Sequence, residues 1–201
     1  LFPMRQNKPY KAPVFGLPKC RINIIIEYTD GSSQRLVTDE KWKVTAEGPI
    51  RANNEYDGEE YDARMELAGW TEVGYDDSKW LKAERAEIPY GALRSQMTPN
   101  MTEEKLNIKP IVTNVNGKTI IDFGQNMAGW LSFVPRGNAG DTIKIKNAEK
   151  LNADGTLYTE NLRDAISEDI YICNGKETAP WHSTFSYHGF RYAEIKGMKN
   201  V

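Results

Sequence analysis

No apolar spacing of three to four residues persists beyond about ten residues anywhere in the chain, so no helix is specified by burial. What recurs instead are short runs of β-branched and aromatic residues, cut by Gly, Asn, Asp and Ser at turn positions. The run 20–28 sets Cys20, Ile22, Ile24, Ile26 and Tyr28 on one side and Arg21, Asn23 and Glu27 on the other, the period of a half-buried strand. Asp30-Gly31 supplies a hairpin turn, and 34–38 and 42–46 read as further strands. Later strands are expected at 106–115, 119–123, 130–134, 142–146, 170–173, 183–187 and 190–196, with Ile143 and Ile145 pointing inward. The pattern predicts an all-β chain with few or no helices, made of two β-sandwich domains of jelly-roll or concanavalin-like type. Thr98-Pro99-Asn100 interrupts the strand pattern, and the boundary is placed between 103 and 104. Residues 1–19 carry four prolines (Pro3, Pro9, Pro13, Pro18) and read as an irregular lead-in.

Charge excludes several function classes. Lys plus Arg total 26 against 28 for Asp plus Glu, a net charge of -2, whereas a phosphate-binding face needs clustered basic residues in excess. No nucleic-acid partner is expected, and no membrane partner, because no apolar run approaches the ~20 residues of a membrane helix. Two Cys and two His at unrelated spacings give no zinc pattern, so no metal ligands are assigned from them. Cys20, on the apolar side of its expected strand, reads as a buried free thiol. The chain begins Leu-Phe-Pro without a signal-like segment, which reads as a piece of a longer protein.

Two stretches carry most of the polar chemistry. In the segment 53–64, read as a loop, Asn54, Asp57, Glu59 and Asp62 are interleaved with Tyr56, Tyr61 and Arg64. Carboxylates and amides of this kind can hydrogen-bond sugar hydroxyls while Tyr rings stack on the pyranose. They can also hold Ca²⁺, which takes six to eight oxygens, although no EF-hand spacing occurs. The plainer alternative is a solvated loop with a local Asp62–Arg64 ion pair. Asp76, Asp77 and Ser78 are expected to cap one helical turn over Trp70 and Trp80. The second polar stretch is Asp122-Phe-Gly-Gln-Asn-Met-Ala-Gly-Trp130, read as two strands flanking a tight polar corner, whose amides serve either turn backbone or a ligand.

Catalytic patterns are weak. Glycoside hydrolysis needs two carboxyl groups about 5–5.5 or ~6.5–9.5 Å apart across a cleft, and neither Glu59 with Asp62 nor Asp122 with Glu149 has a sequence reason to form one. A Ser-His-Asp triad would have to use His182 or His188, without any G-x-S-x-G elbow. No catalytic residue is assigned.

Three stretches in order, Tyr56-Asp-Gly-Glu-Glu-Tyr-Asp-Ala-Arg64, Asp122 to Trp130 and Tyr187-His-Gly-Phe-Arg-Tyr192, resemble bacterial α-L-rhamnosidases of glycoside hydrolase family 78. Leu157 to Arg163 and Asp76 to Trp80 fit as well. The resemblance implies the later part of an N-terminal, substrate-recognition sandwich at 1–103 and a concanavalin-like sandwich at 104–201. In that family an (α/α)6 barrel outside these residues carries the two catalytic Glu and works with inversion. The implied role is a non-catalytic fragment, inactive alone, of a hydrolase that removes terminal α-L-rhamnose, with the barrel and rhamnose-containing glycans as partners. On this reading Asn54, Tyr56, Asp57, Glu59, Tyr61, Asp62 and Arg64 face sugar. Asp122, Gln125, Asn126, Trp130, Tyr187, His188 and Arg191 dock the barrel. The alternative is a stand-alone rhamnose-binding module, with Ca²⁺ as its one conceivable cofactor. Export to the periplasm or beyond is expected from the resemblance.

Overall fold

Strand formers separated by glycine turns become strands here, but the pairing is less sequential than the sequence suggests. The structure, a computed structural model, describes residues 19–87, 94–176 and 179–199. These hold thirteen strands and two 3-10 turns, with no α-helix among the described residues. The chain is all-β, and its sheets are consistent with a concanavalin-like sandwich.

Contacts divide it into two units. The described part of the first unit, up to Ala46 and from Gly69 to Leu106, holds two small sheets. One pairs β1 (Asn23–Glu27) with β2 (Ser33–Val37), antiparallel, about the predicted turn. There Asp30 Oδ1 accepts from Ser32 N at 2.9 Å, and Gly31 takes φ 83°. The other pairs β3 (Lys43–Val44) with β6 (Leu81–Lys82). The expected alternation survives as geometry but not as burial: Ile24, Tyr28 and Leu36 remain exposed. Cys20 corrects the sequence reading, since it precedes β1 and is exposed, not buried. The residues around Asp76 form turns, not a helical turn, and Trp70 is exposed. The described part of 84–96 holds no strand, and 88–93 lie outside the described residues.

The second unit comprises Glu47 to Ala68 together with the chain from Asn107 onward. The presumed loop 53–64 is instead a hairpin of β4 (Ile50–Asn54) and β5 (Gly58–Asp62), turning at 55–57 and followed by a 3-10 turn at Ala63–Met65. From the second half come β7 (Ile111–Val115), β8 (Lys118–Gly129), β9 (Thr142–Ala148), β10 (Lys150–Leu151), β11 (Leu157–Tyr158), β12 (Glu168–Ile172) and β13 (His188–Lys196). A seven-stranded sheet runs β4-β5-β12-β9-β13-β8-β7, and β10 and β11 make a separate ribbon. Every pairing in the large sheet is antiparallel except β5 with β12, which is parallel.

Successive residues of a strand point to opposite faces, and β8 shows both faces covered. Ile121 joins Ile143, Ile145, Tyr171, Cys173, Ala193 and Ile195 in one cluster, while its neighbour Ile120 packs with Ala148 and Leu157 in another. The inward placement of Ile143 and Ile145 is as predicted. Two expectations fail. The 119–134 stretch is not two strands about a corner but one long β8, kinked where Gly124 takes φ 81°, followed by a single bridge from Phe133 to Trp181. Residues 183–187 are a loop, and β13 begins at His188, so His188-Gly189 opens the strand instead of separating two.

Candidate functional site

The β4–β5 hairpin draws the acidic segment inward. Asn54 Oδ1 accepts from the backbone N–H groups of Tyr56 and Asp57 (2.9 and 2.8 Å), an Asx turn that leaves Tyr56 in solvent. Asp57 is buried, with Oδ1 accepting from Ile166 N and Oδ2 from Asn54 Nδ2. Glu59 is fully enclosed, yet its carboxylate accepts from Asn53 Nδ2 and from the backbone N–H groups of Thr184 and Phe185, at 2.9 to 3.1 Å. Burial pushes its pKa above the ordinary carboxylate value, against the pull of those donors.

Beside it, Asp169 Oδ1 accepts from Glu59 N and Ser186 Oγ. Asp169 Oδ2 lies 3.2 Å from His188 Nε2, off the line of a hydrogen bond, and His188 Nδ1 is 3.3 Å from Ser167 Oγ. Ser167, His188 and Asp169 thus bring together the atom types of a hydrolytic triad, and Ser167 holds a strained φ of 50°. All three are buried, so no substrate carbonyl can reach the hydroxyl. The cluster fastens the 183–187 loop to β5 and β12. Sequence spacing gave no hint of it, because its members come from three separate segments, around 59, 167–169 and 184–188.

The other residues expected at the sugar face are also engaged within the protein. Tyr61 stacks on Tyr171 (5.5 Å, 10°) and donates its hydroxyl to Glu66. Burial, with the Glu66 carboxylate next, holds its phenol well above its ordinary pKa. Asp62 is clamped by Arg64 (Nη2 to Oδ2, 2.7 Å), which lowers the carboxyl pKa and realises the predicted local pair. Among the described residues no group of three or more His, Cys, Asp or Glu side chains could hold a metal ion.

The stretch 122–130 is open where the hairpin is closed. The β8–β13 ladder slips between Phe190 and Tyr192, and Arg191 at that bulge grips Asp122 with Nε and Nη2 (2.8 and 2.9 Å). That hydrogen bonding holds the Asp122 carboxyl below the usual range. Arg191 also lies 5.0 Å over the Tyr192 ring. Asn126 Nδ2 donates to Glu149 Oε1 (2.8 Å), and Trp130 stacks on His182 (5.2 Å, 21°). Gln125 and Tyr187 are exposed, whereas His188 belongs to the buried cluster. Of the residues expected to dock a barrel, the fold therefore gathers Asp122, Asn126, Trp130, Tyr187 and Arg191 along one strand pair.

A family model described as the alpha-L-rhamnosidase N-terminal domain matches residues 4–105, and one for the bacterial alpha-L-rhamnosidase concanavalin-like domain matches 113–201. The chain belongs to the bacterial α-L-rhamnosidase family. It is 37% identical over 183 residues to an α-L-rhamnosidase of Streptomyces avermitilis and 39% over 185 residues to one of Formosa agariphila, covering 90% of this chain in both cases. The same matches take in only 18% and 20% of those relatives, so the chain spans about a fifth of their length.

Solved rhamnosidases agree. The S. avermitilis enzyme complexed with L-rhamnose superposes with a TM-score of 0.80 over 89% of this chain and 18% of that one. The α-L-rhamnosidase from Dictyoglumus thermophilum gives 0.83 at 41% identity, over 90% of this chain and 21% of the other. The two family models meet in the interval 106–112, yet β4 and β5, within the N-terminal match, are structurally part of the sheet built by the concanavalin-like match.

Proposed function

We propose that this chain is the non-catalytic sandwich portion of an α-L-rhamnosidase, and that the whole enzyme hydrolyses terminal α-L-rhamnose from glycans or glycosides with inversion. The observation that carries the reading is the pair of family matches, in order, across 4–105 and 113–201. The state of the carboxylates supports the non-catalytic half. Glycoside hydrolysis needs two carboxyl groups facing an open cleft, whereas Glu59 is enclosed and Asp62 and Asp122 are each taken up by an arginine. The portion then supports the catalytic barrel, with the Asp122–Trp130 strand and Tyr187 as its docking face. An enzyme acting on such glycans works in the periplasm or outside the cell.

The purified 201-residue chain, assayed with p-nitrophenyl α-L-rhamnopyranoside, is expected to release no p-nitrophenol above the uncatalysed rate. Turnover comparable to that of a full-length rhamnosidase would overturn the reading. The same preparation titrated with L-rhamnose, with and without Ca²⁺, tests the module reading; binding abolished by chelation and by Asp57→Asn would move the function to the hairpin.

A further inference from the structure

Part of the surface assigned above to docking, the end of the β8–β13 ladder around Gly189 and Ala128, also has the make-up of a shelf for a small polar ligand. In the β8–β13 ladder His188 faces Gly129, Gly189 faces Ala128 and Phe190 faces Met127. Phe190 is buried, edge-on to Phe123, so the alternation of strands turns Gly189 and Ala128 to the opposite face. Both are exposed there, and neither raises a side chain larger than a methyl. Asn126 precedes Ala128 by two residues in β8 and shares that face, while Tyr187 and Trp130 flank the other end of the ladder, just before β13 and just after β8, ~13 Å along the strand from Asn126.

Glu149 leans in from the side. Its Oε1 lies 3.7 Å from where a Cβ on Gly189 would stand. Its two oxygens accept from Asn126 Nδ2 (2.8 Å) and Asn161 Nδ2 (3.4 Å), which orients the carboxylate while leaving lone pairs on both oxygens. Asn126, Glu149, Asn161 and Tyr187 are all exposed. One face of Trp130 is taken by His182, so the open ring is that of Tyr187.

We propose that this shelf is a binding subsite for one pyranose unit of a glycan, separate from the acidic hairpin. The C–H face of the sugar lies toward Tyr187 over the Gly189–Ala128 floor, and vicinal hydroxyls donate to Glu149 and bond the amides of Asn126 and Asn161. Only the choice of L-rhamnose as first probe rests on the proposed function; the shelf itself does not.

The experiment is a ¹H–¹⁵N NMR titration of the 201-residue chain with L-rhamnose, and in parallel with D-glucose and D-galactose. Shifts are expected for amides at 126–130, 149, 161 and 187–189, with weakening of at least tenfold in Glu149→Gln and in Tyr187→Ala. Gly189→Val is the second arm: its backbone lies in a strand that accepts a β-branched residue, so the spectrum should stay folded while binding disappears. Unchanged binding in a folded Gly189→Val, shifts confined to 54–64, or no shifts with any sugar each overturn the subsite. Binding of D-glucose or D-galactose but not L-rhamnose upholds the shelf and counts against the rhamnoside reading.

Discussion

Glu59 is a carboxylate enclosed by protein and, among the described residues, paired with no cation, its oxygens given to three N–H donors. Replacing it by Ala strands those donors, two of them on the loop that carries Phe185 and Tyr187. The expected loss in urea unfolding at pH 7 is about 2–3 kcal/mol, since each buried unsatisfied group costs ~1–3 and removal of the desolvated charge returns part of it. Because the folded pKa is raised, the proton itself favours the folded state, and that share fades as pH rises through the raised value. Asp122 behaves oppositely. Its folded value is lowered by Arg191, so its contribution is present above the ordinary carboxylate value and lost as pH falls through the folded one. The pair is partly solvated, so Asp122→Asn should cost only ~0.5–1 kcal/mol at pH 7. The gap between variant and wild type should close below about pH 4 in parallel unfolding titrations.

At the scale of elements, Gly58 is the residue on which the hairpin depends. It takes φ 95° as it enters β5, and a Cβ there would stand 2.5 Å from the carbonyl oxygen of Glu168 on β12. Gly58→Ala combines a left-handed backbone with a backbone clash and should destabilise by at least about 2 kcal/mol, read as a drop in Tm. Which elements were legible follows the same physics. β9 could be read because Ile143 and Ile145 alternate with lysines, and β1–β2 because Asp30-Gly31 announces the turn. The β4–β5 hairpin could not: the side chains it buries include Asp57 and Glu59, whose burial is offset by partners more than a hundred residues away. Polar side chains look solvated to any rule based on hydropathy. The bulge at Arg191 was equally hidden, because nothing in a local window specifies a slip against a distant strand. The Asp62–Arg64 clamp, spanning two residues, was visible at once.

For the whole molecule, the motifs placed the family correctly while local patterning missed how the sheet is assembled. The parallel pair β5–β12 has a kinetic and colloidal consequence. β5 cannot find its place until β12, roughly a hundred residues further along, has been made and ordered, and such long-range closure slows folding. A version trimmed to 107–201 along the apparent modular seam would leave β12 as a bare lateral edge, its row of amides and carbonyls a template for pairing with other copies. That trimmed version should elute as aggregates in size-exclusion chromatography and bind thioflavin T. Supplying residues 47–68 as a separate peptide should restore a dispersed species.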